Sequence, residues 1–138
     1  ITAEDYRTRR SFDDEICRNC YYIDIHHSAK EAEKLVKGAS FDKVVESRTQ
    51  RYGKGESHGI PYRCLTPKGL TNVLIAGRSI SCDRTIQGSI RVMPVCLAMG
   101  EAAGMAAAHA AGLPTADVHK IDVQNLRKRL REEGAYLP

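Results

Sequence analysis

Apolar and polar positions in the middle of the chain predict a short buried strand followed by a long helix. Residues 73–76 are all apolar and the run stops at Gly77, as expected of a strand covered on both faces of a sheet. The helix is predicted to begin near Pro94, because proline in a first turn costs no hydrogen bond, and to stop at Gly112 and Pro114. We expect the rest of the chain to pack around this unit.

The predicted helix has a face of small residues. Gly100 and Gly104 are four positions apart and share one face, which Ala103, Ala107 and Ala111 extend. A glycine inside a helix costs roughly 1 kcal/mol relative to alanine, so the close approach of a neighbour is the expected compensation. That neighbour is either a sheet or helix of the fold or a flat ligand, and composition alone favours packing within the fold.

The segment before the helix favours a ligand that carries negative charge. Residues 88–94 lead directly into the helix N-terminus, where unpaired N–H groups and the helix dipole attract electron-rich groups. Arg91 adds a full positive charge there. Gly77 and Arg78 follow the predicted strand, at the strand end where open α/β sheets bind ligands.

Four motifs, in order, resemble the C-terminal part of FAD-dependent oxidoreductases of the glutathione-reductase-like superfamily. They are IDIH at 23–26, GIPYRCLTPKG at 59–69, NVLIAGRSIS at 72–81 and QGSIRVMPVCLAMGEAAGMAAA at 87–108. The resemblance covers most of the chain, from about residue 2 to residue 137. It implies an α/β fold, namely the C-terminal segment of a Rossmann-like FAD-binding fold with an incomplete sheet and a long small-residue helix. It also implies FAD as the cofactor.

The resemblance further implies roles for particular residues. Residues 77–79 are expected near the ribityl or pyrophosphate part of FAD, and the amides of residues 91–96, except that of Pro94, near its pyrimidine end, where they favour the reduced state. The implied FAD contacts are Gly77, Arg78, Ser79, Gly88, Ser89, Arg91, Val92, Met93, Gly100 and Gly104. The implied substrate contacts are His26, Arg63 and Arg84, with no acid or base chosen among them. Some relatives carry a Thr-His pair where residues 82–85 read CDRT, so no histidine is assigned there.

The resemblance divides the chain into residues 1–58, part of a substrate or cap region, and residues 59–138, the C-terminal part of the FAD-binding domain. The sequence has no G-x-G-x-x-G motif, residues 53–58 being the nearest approach, and it starts at Ile1. We therefore expect a piece of a longer protein whose N-terminal Rossmann portion binds the adenosine half of FAD. Alone, the piece is expected to be inactive and to form homo-oligomers through its exposed apolar helix.

Two functions of different classes remain open from the sequence. The leading hypothesis is a flavoprotein oxidoreductase that acts on a small-molecule substrate, with this chain supplying the C-terminal part of the FAD site. The alternative is a noncatalytic module with flavin-fold packing that serves subunit assembly or binds another ligand. The missing glycine motif is the reason for keeping this alternative.

Composition argues against nucleic-acid, membrane and metal partners. The net charge is +4, and the basic residues are scattered apart from those in 127–131, with six tyrosines and two phenylalanines as stacking platforms. Glu101 and His109 interrupt the apolar helix, so it is not expected to span a membrane. Five cysteines and no signal peptide favour a reduced, cytoplasmic setting. Cys17 and Cys20 form a C-x-x-C without a second pair at zinc spacing, so no metal site is assigned.

The N-terminal part of the chain predicts several short elements. Thr2 caps a short helix with an acidic first turn, and residues 11–17 are expected to form another. Residues 21–26 alternate between apolar and polar, which predicts a half-buried strand. A helix is predicted over 28–38 and a short strand or irregular connection over 41–51.

The C-terminal part predicts an extended segment and a last helix. Residues 60–65 are expected to be extended, followed by a turn at 67–69. The last helix is capped by Asp122 and ends at Gly134, with the basic residues mainly on its solvated face.

Overall fold

The computed structural model describes residues 1–25 and 51–138. The described chain contains four α-helices, two β-strands and two short 3₁₀ turns. In chain order they are α1 (Ala3–Arg7), β1 (Glu15–Asn19), β2 (His58–Pro61), the 3₁₀ turns Tyr62–Cys64 and Gly77–Ser79, α2 (Arg84–Ile90), α3 (Met93–Ala111) and α4 (Val123–Glu132). The predicted mixed α/β class is confirmed, and the described residues contribute two strands to the sheet. The helix predicted over 28–38 lies outside the described residues, as does nearly all of the segment 41–51.

The first helix follows its capping signal. Thr2 is the N-cap of α1 and its backbone N–H donates to the carboxylate of Asp5 over 2.8 Å, which confirms the predicted cap. The helix predicted over 11–17 is wrong, because this part of the chain enters β1 instead. Pairing with the distant β2 overrides the local helix signal, as long-range pairing commonly does.

The two strands form an antiparallel sheet. Cys17 is opposite Ile60 and Asn19 is opposite His58, with a register irregularity between Glu15 and Cys17. All four residues of β2 are buried, and β1 packs against α3 and α4. A two-stranded sheet is marginal alone, so these helices supply the apolar cover that it needs.

Two strands predicted from apolar patterns do not form. Residues 21–25 lie in no strand and instead run beside α2, and His26 lies outside the described residues. Residues 73–76 lie in no strand, and among the described residues their backbone makes one backbone–backbone hydrogen bond, in which Ile75 N–H donates to the carbonyl of Leu65 over 2.8 Å. Val73 is 37% exposed, so the prediction of a strand buried on both faces is wrong for the described chain. A strand needs neighbouring strands, and none of the described residues provides one here.

Helix α3 begins and ends where the sequence predicts. Val92 is its N-cap, Pro94 lies in the first turn and Gly112 is the C-cap. Its buried stripe consists of Val95, Met99, Ala102, Ala106 and Ala110. The opposite face is exposed although it is also apolar, and a helix that is apolar on all sides is usually covered on all sides.

Helices α2 and α3 meet at a sharp bend. Among the helices of the described residues, none alone is long and apolar enough to cross a membrane, and only α2 and α3 taken together, bent by 93°, reach that length and composition. Two residues, Arg91 and Val92, separate the two helices. The bend therefore places the end of α2 at the start of α3.

The last helix packs its apolar stripe into the core. Asp122 caps α4 by accepting from Asn125 N–H over 3.0 Å, and Gly134 follows the helix with a φ of +101°, which confirms both predicted ends. Leu126 and Leu130 are buried. The prediction that the basic residues lie mainly on the solvated face is corrected at one position. Arg127 is 8% exposed and donates to the carbonyl of Asp13, whereas the neighbouring basic residues are exposed.

The turn signals of the C-terminal part are mostly confirmed. Residues 60–65 are extended only as far as Pro61, where the 3₁₀ turn begins. Gly69 has a φ of +81° and Gly77 a φ of +71°, so both turns use the left-handed region that glycine allows.

The sheet joins residues on both sides of the predicted boundary at residue 58, and the division into two domains stays a prediction.

Candidate functional site

The turn Gly77–Ser79 lies against the first turns of α3. Its positive φ makes Gly77 the residue at which the extended chain reverses, and a side chain there would have its Cβ 4.0 Å from Sγ of Cys96. The turn also packs against α2. The structure therefore brings together two segments that the sequence placed in one site.

Hydrogen bonds tie this turn to the junction between α2 and α3. Arg78 Nε donates to the carbonyl of Arg91 over 2.9 Å, and Gln87 Nε2 donates to the carbonyl of Arg78 over 3.2 Å. Arg91 is the residue immediately before the N-cap of α3. The backbone positions of Arg78 and Arg91 are thus fixed relative to each other.

The N-terminus of α3 offers donors and positive charge. Cys96 N–H bonds the carbonyl of Val92 over 3.1 Å, which begins the intrahelical series. The N–H groups of Met93 and Val95 precede that series and have no carbonyl within the helix, and Val92 supplies no side-chain cap. With the helix dipole and the charges of two arginines, this end of α3 is suited to a group that carries negative charge.

The predicted site residues Gly88 and Ser89 lie beneath another part of the chain. A Cβ on Gly88 would be 2.8 Å from the carbonyl oxygen of Asp24, and Ser89 is fully buried. Ser89 Oγ accepts from Asn19 Nδ2 over 2.8 Å and donates to the carbonyl of Tyr21. The structure thus gives both residues packing partners within the chain, and their contact with a cofactor stays a prediction.

The exposed face of α3 is open next to its N-terminus. Met93 is 72% exposed and Leu97 is 74% exposed. A Cβ on either Gly100 or Gly104 would meet no atom within 4 Å, so the predicted close approach is not made by the described residues. This apolar, side-chain-poor surface leaves room for a flat apolar group beside the donors of the helix end.

The small residues further along α3 line a cavity. Its volume is about 430 Å³, and its walls come from α3 and from the segments on either side of it in sequence. The lining residues are Asn72, Leu74, Ala103, Ala107, Ala110, Ala111, Ala116 and Val118. The small-residue face predicted from the sequence is therefore accessible at both ends of the helix.

The three predicted substrate contacts are placed differently. Arg63 is exposed, pairs with Asp14 and lies over the ring of Phe12, with its guanidinium carbon 5.0 Å from the ring centre. Arg84 is exposed at the first position of α2. His26 lies outside the described residues, so its position relative to the arginines stays a prediction.

The described part of the chain contains no cluster of metal ligands, and the C-x-x-C pair belongs to none. No three His, Cys, Asp or Glu side chains of residues 1–25 and 51–138 are grouped so that they could hold a metal ion. Cys17 is buried in β1 and Cys20 is exposed. Burial, with a smaller effect from Glu15, raises the pKa of the Cys17 thiol to about 12 and makes it a poor nucleophile.

Sequence reasoning missed the residues that hold the site in place. Gln87 supports the turn at Arg78, and Asp24 holds Arg91 through both its carbonyl and its carboxylate. Gln87 is the first residue of the motif at 87–108, but nothing in its spacing shows that it reaches back nine residues. Asp24 lies in the IDIH motif, from which the resemblance implied a role only for His26.

The fold and the site together define an α/β protein in which a helix N-terminus and a glycine turn lie beside an exposed apolar helix face, with the charge and shape that suit a negatively charged, partly apolar ligand. The chain belongs to the family described as FAD dependent oxidoreductase, whose model matches residues 1–130. Membership implies FAD as the cofactor, and the described site suits it in charge and in the open apolar surface beside the donors. No curated protein and no solved structure matches the chain.

Proposed function

We propose that this chain supplies the C-terminal part of the FAD site of a flavoprotein oxidoreductase, in a Rossmann-like fold of the glutathione-reductase-like superfamily. The observation that carries the proposal is the meeting of the uncapped N-terminus of α3 with the turn at Gly77. Arg78 and Arg91 are joined there by the 2.9 Å hydrogen bond described above. Helix ends of this kind favour negative charge, which the reduced flavin of FAD carries at its pyrimidine end.

FAD when bound supplies the transfer of hydride or electrons, and the protein supplies binding and electrostatics. The N–H groups of Met93 and Val95 favour negative charge in front of the helix, and the guanidinium of Arg91 adds to that preference. These groups therefore favour the reduced, negatively charged form of the cofactor. The turn at residues 77–79 lies beside them, at the side where the ribityl or pyrophosphate portion is proposed to run.

The substrate is proposed to be a small molecule that binds beside the proposed flavin site. Arg63, Arg84 and His26 are the candidates for contacting it. The guanidinium groups of Arg63, which already pairs with Asp14, and of Arg84 are both exposed and favour an anionic substrate. All five cysteines are free, which supports a reducing, cytoplasmic setting as part of the proposal.

The exposed surfaces of α3 and of residues 73–76 support a further part of the proposal, that the active protein is longer than this chain. An apolar helix face, and an apolar segment that makes one backbone bond to other described residues, are both typical of elements that another part of a protein covers. We propose that an N-terminal Rossmann portion of the same protein is that cover. In its absence, a second copy of this chain is the expected cover.

The test is a titration of FAD into this chain and into the protein extended to the start of its gene, followed by flavin fluorescence. We expect only the extended protein to bind tightly, because the adenosine half of FAD needs the Rossmann portion. Binding by neither protein would favour the noncatalytic module.

Sedimentation of this chain alone is expected to show dimers or larger species, and a monodisperse monomer would argue against the proposed covering of α3.

A matched pair of variants tests the position of the site. Gly77→Ala and Gly69→Ala each force a side chain into a positive φ, of +71° and +81° respectively, at a cost of roughly 1 to 2 kcal/mol. Only Gly77 borders α3. We expect Gly77→Ala to weaken FAD binding at least tenfold and Gly69→Ala to leave it within about twofold. Equal effects would mean that the turn at Gly77 is not part of the site.

A further inference from the structure

We propose that residues 19–25 form a strap that positions the guanidinium of Arg91 at the N-terminal end of α3. Asp24, Gly88 and Ser89 are then positioning residues that act on the flavin site through Arg91. This inference rests on the proposed function, since it assigns a task to residues around the same site. None of the three residues has to touch the cofactor to perform it.

The strap is hydrogen-bonded to α2 at successive points. Asn19 Nδ2 donates to Ser89 Oγ over 2.8 Å, and the same hydroxyl donates to the carbonyl of Tyr21. Asp24 N–H then donates to the carbonyl of Gly88 over 3.3 Å. Asn19 and Ser89 are buried, so breaking their bond leaves unpaired polar groups without water. The course of the strap over α2 is therefore well determined.

Gly88 allows the strap to lie this close. A Cβ at this position would be 2.8 Å from the carbonyl oxygen of Asp24 and 3.0 Å from Cγ1 of Ile25. The nearer atom belongs to the backbone, which cannot rotate away as the end of a long side chain can. Any larger residue at position 88 therefore lifts the strap from the helix at the point where Asp24 lies.

Asp24 in turn holds the side chain of Arg91. Nη2 of Arg91 donates to the carbonyl of Asp24 over 3.2 Å and to its carboxylate over 3.3 Å. The Arg91 side chain is 41% exposed, so the ion pair contributes little to stability. Its effect is to hold the long side chain of Arg91 in one position. The guanidinium is then no further from the first turn of α3 than the length of that side chain. Displacement of the strap releases that charge into solvent, where water and salt screen it.

The test measures the reduction potential of FAD bound to the protein encoded by the complete gene. Arg91→Gln removes the charge, disfavours the reduced cofactor and is expected to lower the reduction equilibrium constant about tenfold, which corresponds to about 30 mV for a two-electron couple. Gly88→Ala changes no charge but lifts the strap, and we expect a fall of similar size. In the Arg91→Gln background, Gly88→Ala is expected to cause no further fall, because both changes act on the same group.

Gly59→Ala is the matched steric control. Its Cβ would be 2.0 Å from Oε2 of Glu15, in the sheet and away from the strap. We expect this variant to lose stability and to keep the wild-type potential. Ser89→Ala is a second way to loosen the strap should Gly88→Ala fail to fold, and a smaller fall in the same direction is expected.

The outcomes separate the two proposals. Failure of the complete wild-type protein to bind FAD overturns the proposed function and this inference with it. Tight FAD binding with a potential that falls in Arg91→Gln but not in Gly88→Ala or Ser89→Ala overturns the strap alone. An equal fall in Gly59→Ala also overturns it, because the effect would then follow from general destabilisation.

Discussion

The hydroxyl of Tyr52 lies 2.8 Å from Nδ1 of the fully buried His58. The hydroxyl hydrogen is already donated to the carbonyl of Tyr6, also over 2.8 Å, so the oxygen of Tyr52 must accept from Nδ1–H. This network assigns the neutral tautomer with a bare Nε2, which is buried and has no partner among the described residues. His58 is thus held neutral by its surroundings.

Acidification is expected to destabilise the protein through His58. Burial, with a smaller effect from the charge of Arg18, lowers the pKa of His58 from 6.5 to about 4. The unfolded chain therefore binds this proton first, and stability present above pH 6.5 is lost as the pH falls towards 4. The full loss is about 3 kcal/mol, since one pKa unit corresponds to about 1.4 kcal/mol.

Urea unfolding between pH 7.5 and 4.5 measures this loss. His58→Gln, whose amide can donate to Tyr52 without titrating, is expected to be less stable at neutral pH and to lose most of the slope. His119→Gln replaces an exposed histidine and should retain the slope, since His58 is still present. An unchanged slope in His58→Gln would mean that other groups cause the acid sensitivity.

Tyr52→Phe should destabilise the chain by roughly 1 to 3 kcal/mol, because it leaves Nδ1–H of the buried His58 without the oxygen that accepts from it. Its ring also stacks on Tyr6 with centres 4.4 Å apart, and phenylalanine retains that contact. Tyr136→Phe is the control, since Tyr136 is 71% exposed and should change stability by less than about 0.5 kcal/mol. Chemical denaturation compares the two, and equal values would contradict the buried network.

Gly104→Leu is expected to separate fold from cofactor binding. Nothing lies within 4 Å of the added Cβ, so leucine should raise helix stability, by up to about 1 kcal/mol relative to glycine. If the face of α3 is where FAD approaches, the affinity of the complete protein for FAD should fall at least tenfold. Lys128→Leu, at an exposed position of α4, is the control for added apolar surface. Unchanged FAD affinity in Gly104→Leu would show that the cofactor does not approach this face closely.

The two helix-capping aspartates, Asp83 and Asp122, should differ in how much they stabilise the protein. Asp83 accepts from Ile86 N–H at the start of α2 over 2.7 Å and from Ala3 N–H of α1 over 2.8 Å, whereas Asp122 caps only α4. Alanine should cost roughly 1 kcal/mol at Asp122 and about twice that at Asp83, where two bonds are lost. Thermal unfolding ranks them, and the reverse order would argue against the link between α1 and α2.

Features encoded in a few neighbouring residues were predictable. The caps at Thr2 and Asp122 and the turn at Gly77 depend on local hydrogen bonds and on backbone angles that particular residues favour. Strands depend on partners far along the chain, which is why the pattern of residues 73–76 predicted a strand and residues 15–19 predicted none. The same apolar run is a strand or an open segment according to what lies beside it.

The candidate site, like the fold, could be predicted from the sequence only where it depends on neighbouring residues. Arg78 and Arg91 could be placed together because each follows a recognisable motif at the ends of two adjacent elements. The burial of Ser89 under Asn19 and Tyr21 could not be predicted, since it requires knowing that residues 19–25 cross α2. Long-range packing, which local pattern does not report, decides whether a motif residue faces a ligand or its own chain.

The 93° bend between α2 and α3 has an electrostatic consequence. In a continuous helix, the carbonyl end of the first part would lie directly before the amides of the second, and the two partial charges would cancel. At a right angle, the carbonyls of α2 point across the axis of α3, so they oppose its field less than they would in a continuous helix. The N–H groups of Met93 and Val95 have no carbonyl within the helix because of this bend, and straightening the joint would pair them with the carbonyls of Ser89 and Arg91 even if every side chain were kept.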